Sequence, residues 1–167
     1  MPVNDGEIVA LAAELGRRLA ARGAFAATAE SCTGGLVAGA ITAIAGSSGW
    51  FERGFVTYSN EAKVEMLGVD PAMLAQQGAV SEAAARAMAE GALRASDADV
   101  AVAITGVAGP AGGSEAKPVG MVCFAWTDRK GPTSAKTLHF PGDREAVRRA
   151  SVVVALQGLI DRLGASG

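Results

Sequence analysis

The run DVAVAITGVAGP, residues 99–110, sets five consecutive apolar residues between an aspartate and a Thr-Gly pair, then passes directly into Val-Ala-Gly-Pro. An apolar stretch of that length bounded by turn residues reads as a strand buried on both faces, the kind found in sheets covered by helices. It also delivers the chain from the core straight into a glycine-rich loop.

Working outward, SEAAARAMAEGALRAS (81–96) predicts a helix whose Ala84, Ala87, Met88, Gly91 and Ala92 form a tightly packing face. Downstream, GMVCFAW (120–126) and KTLHF (136–140) predict two further strands, joined as a hairpin through DRKGPTSA. Ile8, Leu11, Ala12, Leu15 and Leu19 fall at helical spacing and predict a helix over Asp5–Arg22, closed by Gly23. Residues 25–30 are extended, and LVAGAITAIAG continues as a helix from about Thr33. Phe51, Phe55, Val56 and Tyr58 mark a strand, and Ser59-Asn60 then caps a short helix that Gly68 ends. Asp70-Pro71 opens another turn of helix. Residues 143–163 form the last helix, with Val152, Leu156, Leu159, Ile160 and Leu163 as its buried stripe. Interleaved helices and strands predict an α/β fold, a three-layer sandwich with a mixed, mostly parallel sheet covered by helices on both faces.

A chain of 167 residues fits one domain, expected over 1–167, and a domain of that size buries roughly 70% of its unfolded surface. Fifteen Lys+Arg against seventeen Asp+Glu leave no positive field for a polyanion, so nucleic acid is not an expected partner. The N-terminal pattern is unlike a signal peptide, and no run approaches the ~18 apolar residues of a membrane span, so a cytoplasmic protein is expected. Cys32 and Cys123 lack metal-site spacing, and no disulfide, metal or cofactor is expected. Trp50, Phe51 and the Ala/Gly-rich helices offer a surface for a homo-oligomer, a dimer being the simplest.

Four loops set polar residues beside glycine: AESCTGG (29–35), VTYSNEAK (56–63), ITGVAGPAGGSEAKPVG (104–120) and FPGDREAVRR (140–149). Three of them follow predicted strands, and open α/β sheets hold ligands beyond the carboxyl ends of their strands. A common site is expected from that placement alone.

The segments TAESCTGGLVAGAIT, AGSS, GFVTYSNEAK, GAVSE, TGVAGPAGG, KPVG and FPGDREAVRR occur in an order that resembles the C-terminal domain of the competence/damage-inducible protein CinA. The resemblance spans residues 7–163, with Ala45 departing from the proline common in that family, and no counterpart of the large N-terminal domain of full-length CinA is expected. It implies a stand-alone nicotinamide-nucleotide amidohydrolase that takes a small nucleotide substrate, nicotinamide mononucleotide, to nicotinate mononucleotide and ammonia. Amide hydrolysis needs a nucleophile, a base, an acid for the leaving ammonia and donors for the oxyanion.

Ser31 at the strand-to-helix turn is the candidate nucleophile, with the amides of Cys32, Thr33 and Gly34, beside Gly35, as oxyanion donors. Helix capping by Ser31 or Thr33 is the plain structural alternative. Cys32 is the stronger nucleophile as a thiolate, though a free cysteine is commonly a small buried hydrophobe. The lone histidine, His139, sits in a strand and would have to serve any Ser-His-Asp triad. Without it, Lys63, in the first turn of its helix, is the candidate base, because burial and the helix dipole favour the neutral amine. Tyr58 would relay the proton or orient that amine; a solvated lysine and half-buried tyrosine are the alternative. Thr105, Gly106 and Ala108 would hold ribose, phosphate or carboxamide. Arg144 and Arg148, four apart, would clasp a phosphate monoester. Glu30 would support the cationic ring, or pair with Lys63 or Arg148. The same groups could also build a non-catalytic module that binds a pyridine nucleotide and regulates without breaking a bond.

Overall fold

A computed structural model describes residues 3–164; the outermost residues of the expected 1–167 domain lie outside that range. Five strands, β1 (Ala26–Glu30), β2 (Phe51–Val56), β3 (Val100–Gly106), β4 (Met121–Asp128) and β5 (Ser134–His139), form one sheet in the order β2-β1-β3-β4-β5. β1 runs parallel to both β2 and β3, β4 is antiparallel to β3, and β5 is antiparallel to β4. Four strands therefore point the same way and β4 alone opposes them, which is the mixed, mostly parallel sheet expected.

The helices are α1 (Asp5–Arg22), α2 (Leu36–Thr42), α3 (Asn60–Leu67), α4 (Pro71–Gln77), α5 (Glu82–Arg94) and α6 (Arg144–Gly164). Residues on β3 and β4 alternate in size. Val100, Val102, Ile104, Val122, Phe124 and Trp126 enter one core with α1, α2 and α6. Ala101, Ala103, Cys123 and Ala125 enter the other with α5 and its neighbours α3 and α4. Successive strand side chains point to opposite faces, so this alternation gives one face bulk and the other close approach. The close side is tight: a Cβ at Gly91 of α5 would fall on the Leu67 carbonyl. The expected stripe of α6 is buried throughout.

α1 has the expected bounds, with Gly23 left-handed after it at φ 61°. α2 differs. It starts at Leu36 rather than near Thr33, because Gly34 and Gly35 take φ of 57° and 107°, outside the helical region. Among the described residues no helix is long and apolar enough to cross a membrane.

Candidate active site

Each of the four expected loops leaves the carboxyl end of one of the four co-directional strands, so the topology brings them to one end of the sheet. The loop after β1 is fixed first. The Ser31 N–H donates to the Ile104 carbonyl of β3 (2.9 Å), continuing the ladder one residue past the strand, and the Gly34 N–H returns to the Ser31 carbonyl (3.0 Å). Gly35, at the N-cap of α2, has no side chain to cap with. Glu30, five residues upstream, does so instead: its fully buried carboxylate accepts the N–H groups of Val37 (2.9 Å) and Ala38 (3.0 Å). A carboxylate there satisfies orphan amides and meets the positive end of the helix. Glu30 thus clamps β1 to α2 and makes no bond to Lys63 or Arg148.

On the neighbouring loop, the Ser59 hydroxyl accepts the Ala62 N–H (3.0 Å) and starts α3, which carries Lys63 inward. The Lys63 ammonium nitrogen lies 2.9 Å from Ser31 Oγ, 2.7 Å from the Thr57 carbonyl and 3.3 Å from the Tyr58 carbonyl. Lys63 is 1% exposed, and among the described residues no carboxylate forms an ion pair with it. Burial pulls its pKa below the ordinary lysine value, opposed only by the nearby Cys32. A neutral amine has two N–H groups and one lone pair. Two carbonyls can take the donors, which leaves the lone pair for the Ser31 hydroxyl.

Cys32 also faces this space, but burial pushes its thiol up to about 12, so it is not a thiolate at neutral pH. Both cysteines are free. His139 is exposed at the end of β5 and does not line the cavity, so a Ser-His-Asp triad is not formed.

The cavity encloses about 300 Å³ and brings together Ser31, Cys32, Tyr58, Lys63, Thr105, Gly106, Ala108 and Arg144. Glu30, Thr33, Gly34, Gly35 and Arg148 are not among the residues that line it. The Thr105 hydroxyl donates to the Ala79 carbonyl (2.8 Å), tying in the turn before α5. Ala79 and Val80 line the cavity as well; they belong to the GAVSE segment, to which sequence reasoning gave no role, and the turn residue Gly78 was the available signal.

Tyr58 reaches the dyad through its backbone: its carbonyl meets Lys63 and, at 3.5 Å, Ser31 Oγ. Its ring is exposed and its hydroxyl accepts from Arg144 (3.3 Å). Arg144 also donates to the Gly109 carbonyl (2.9 Å) and, among the described residues, has no carboxylate partner. It stands in the first turn of α6, where the helix end is already positive, so the cavity rim favours an anion. Arg148 departs from expectation: instead of joining Arg144 at the rim, it donates to the carbonyls of Cys32 (3.1 Å) and Thr33 (3.2 Å). Spacing by four puts two residues on one helix face without fixing which partner each long side chain finds.

A larger space of about 810 Å³ lies elsewhere, around the β4–β5 hairpin and the end of α5. Its arginines serve main-chain carbonyls: Arg86 that of Thr133, Arg94 that of Leu67, and Arg129 those of Leu93 and Ser96. Volume alone therefore does not mark the chemistry.

Residues 8–163 match the family described as the CinA C-terminal domain. Nicotinamide-nucleotide amidohydrolase PncC of Escherichia coli (strain K12) is 57% identical over 157 residues, covering 94% of this chain and 95% of that protein. The protein of the same name from Pseudomonas putida is 54% identical over 153 residues, with coverage of 92% and 95%. A crystal structure of competence/damage inducible protein CihA from Agrobacterium tumefaciens superposes with a TM-score of 0.93 at 47% identity, covering 98% of this chain and 99% of that one.

Proposed function

The chain belongs to the CinA C-terminal domain family, and from that premise we propose that it is a one-domain nicotinamide-nucleotide amidohydrolase. It hydrolyses the carboxamide of nicotinamide mononucleotide, giving nicotinate mononucleotide and ammonia. The observation that carries the mechanism is the 2.9 Å contact between Ser31 Oγ and a buried Lys63 without a carboxylate partner.

Ser31 Oγ attacks the carboxamide carbon while Lys63 takes its proton. The developing oxyanion is met by the amides of Cys32 and Thr33, whereas Gly34 has spent its own on Ser31. Lys63 returns the proton to the departing ammonia and a nicotinoyl ester remains on Ser31. Water then adds to that ester, Lys63 again holds the proton, and the acid leaves as Ser31 regains its hydroxyl. Thr57 and Tyr58 carbonyls hold the amine on line throughout, and Arg144 receives the substrate phosphate at the rim.

Purified protein incubated with nicotinamide mononucleotide should release ammonia and nicotinate mononucleotide in equal amounts. Folded protein that binds the nucleotide and releases no ammonia would sink the enzymatic reading.

A further inference from the structure

Arg148 is half-buried on α6, outside the cavity, and grips two consecutive peptide groups of the turn that carries the nucleophile. A trans peptide is planar, so its C=O and the N–H that follows point in opposite directions. The Cys32 carbonyl is drawn toward α6 by Arg148 Nε, which aims the Thr33 N–H away from α6. Ser31 and Cys32 line the cavity, and Arg148 does not. The Thr33 carbonyl, drawn by Nη2, fixes the next peptide in the same sense, and its Gly34 N–H closes the turn on Ser31.

From this geometry we infer that Arg148 is a positioning residue: it sets the direction of the Thr33 amide as an oxyanion donor, and it is not a phosphate ligand. The inference rests on the amidohydrolase reading. Gly34, at φ 57°, lies beside the guanidinium, with its Cβ position in ordinary van der Waals range of Arg148 Nη2 at 3.4 Å. No carboxylate among the described residues pairs with Arg148. Its charge is therefore left to polarise the two peptides it holds, which strengthens their N–H groups as donors.

The test measures kcat and KM for nicotinamide mononucleotide in Arg148→Ala and Arg148→Lys, together with inhibition by pyridine-3-boronic acid. Ser31 would convert that probe into a tetrahedral anion needing the same donors. Arg148→Ala should lose roughly 10²-fold in kcat with KM nearly unchanged, in line with loss of an oxyanion donor, and boronate inhibition should weaken in parallel. Arg148→Lys, able to hold one carbonyl at a time, should fall between the two, and it carries the test if the alanine variant does not fold. Added guanidinium ion should restore part of the kcat of Arg148→Ala. A raised KM with preserved kcat would overturn the assignment in favour of phosphate binding. A lowered kcat with unchanged boronate inhibition would also overturn it. If the unsubstituted protein releases no ammonia at all, it is the amidohydrolase reading that has failed, and that result is separate from either.

Discussion

Two cations on opposite sides of the molecule are handled in opposite ways. Arg162, in the last turn of α6, donates to the Asp128 carboxylate (2.7 Å), the Trp126 carbonyl (2.8 Å), the Ser134 hydroxyl (3.3 Å) and the Pro132 carbonyl. It sits where the helix dipole welcomes positive charge. Lys63 is more deeply buried, stands near the positive end of α3 and has neutral partners only. One arrangement satisfies its charge and closes the fold around the hairpin. The other keeps an amine under pressure to lose its proton, and does so 2.9 Å from a hydroxyl. On the proposed mechanism, the chemistry falls where the charge is left uncompensated.

The sharpest way to break this contrast is to remove the hydroxyl. Ser31→Ala should lower turnover at least ~10⁴-fold, as loss of a nucleophile does, without disturbing the sheet. Cys32→Ala should cost far less, since its thiol stays protonated at neutral pH. Ammonia release from the two variants measures both, and the reverse ranking would move the nucleophile to Cys32.

Replacing each cation by methionine tests the comparison directly. Lys63→Met should lose ~10²–10⁴-fold in kcat, the range for general-base removal, yet melt no lower than the unsubstituted protein, because a desolvated amine is exchanged for an apolar chain. Arg162→Met should leave kcat nearly intact and cost about 1.5–3 kcal/mol of stability by stripping Asp128 of its charge-assisted bond. The two sites also respond to pH in separate windows, each contribution rising with pH. Burial would raise the Asp128 carboxyl, but the Arg162 bond and the backbone amides of Lys130 and Gly131 hold it below the usual range. The stabilisation it gives is present above the ordinary carboxylate pKa and is lost as pH falls through the lowered one. For Lys63 the unfolded chain binds more protons between its lowered pKa and the ordinary ~10.4, so its contribution to stability rises with pH across that window. Turnover should rise as the same amine loses its proton, and a kcat profile flat across that limb in unsubstituted protein would remove Lys63 as the base.

Much of this was legible in the chain because local signals and topology agreed. The run at 99–110 gave β3, Ser59-Asn60 gave the start of α3, and glycines after strands marked the loops that converge. Ser31 and Lys63 were legible as candidates, which the fold brings within 2.9 Å, since a hydroxyl at a glycine turn and a lysine one turn into a capped helix are both local features. Glu30 and Arg148 were not legible in the same way. A carboxylate that caps a helix seven residues later, across two left-handed glycines, leaves no fixed spacing to read. The partner of a long arginine is settled by which backbone stands within its reach after α6 docks on α2.

Arg144 should show a smaller effect confined to binding. Arg144→Ala removes from the rim a guanidinium with no carboxylate partner among the described residues, so KM for nicotinamide mononucleotide should rise roughly 10- to 100-fold, the worth of one hydrogen bond to a charged group. KM for nicotinamide riboside, which lacks the phosphate, should hardly change. Equal losses for both substrates would place the phosphate elsewhere.

The smallest effect is expected at Tyr58, where the sequence suggests a side-chain role and the structure gives a backbone one. The Tyr58 carbonyl shares the Lys63 amine with Thr57 and touches Ser31 Oγ, and every residue type carries that carbonyl. The phenol hydroxyl meets Arg144 instead. Tyr58→Phe therefore keeps the geometry of the dyad and removes one exposed 3.3 Å contact at the phosphate side, so kcat should stay within about threefold and any cost should appear in KM, since an exposed neutral hydrogen bond contributes about 1 kcal/mol or less. Tyr58→Pro acts on the other component, because its ring fixes φ and moves the carbonyl that holds the amine. It should cost far more kcat than the phenylalanine variant. If Tyr58→Phe instead loses turnover on the scale of Lys63→Met, the phenol takes part in proton transfer, and the site no longer rests on a main-chain cradle for one uncompensated amine.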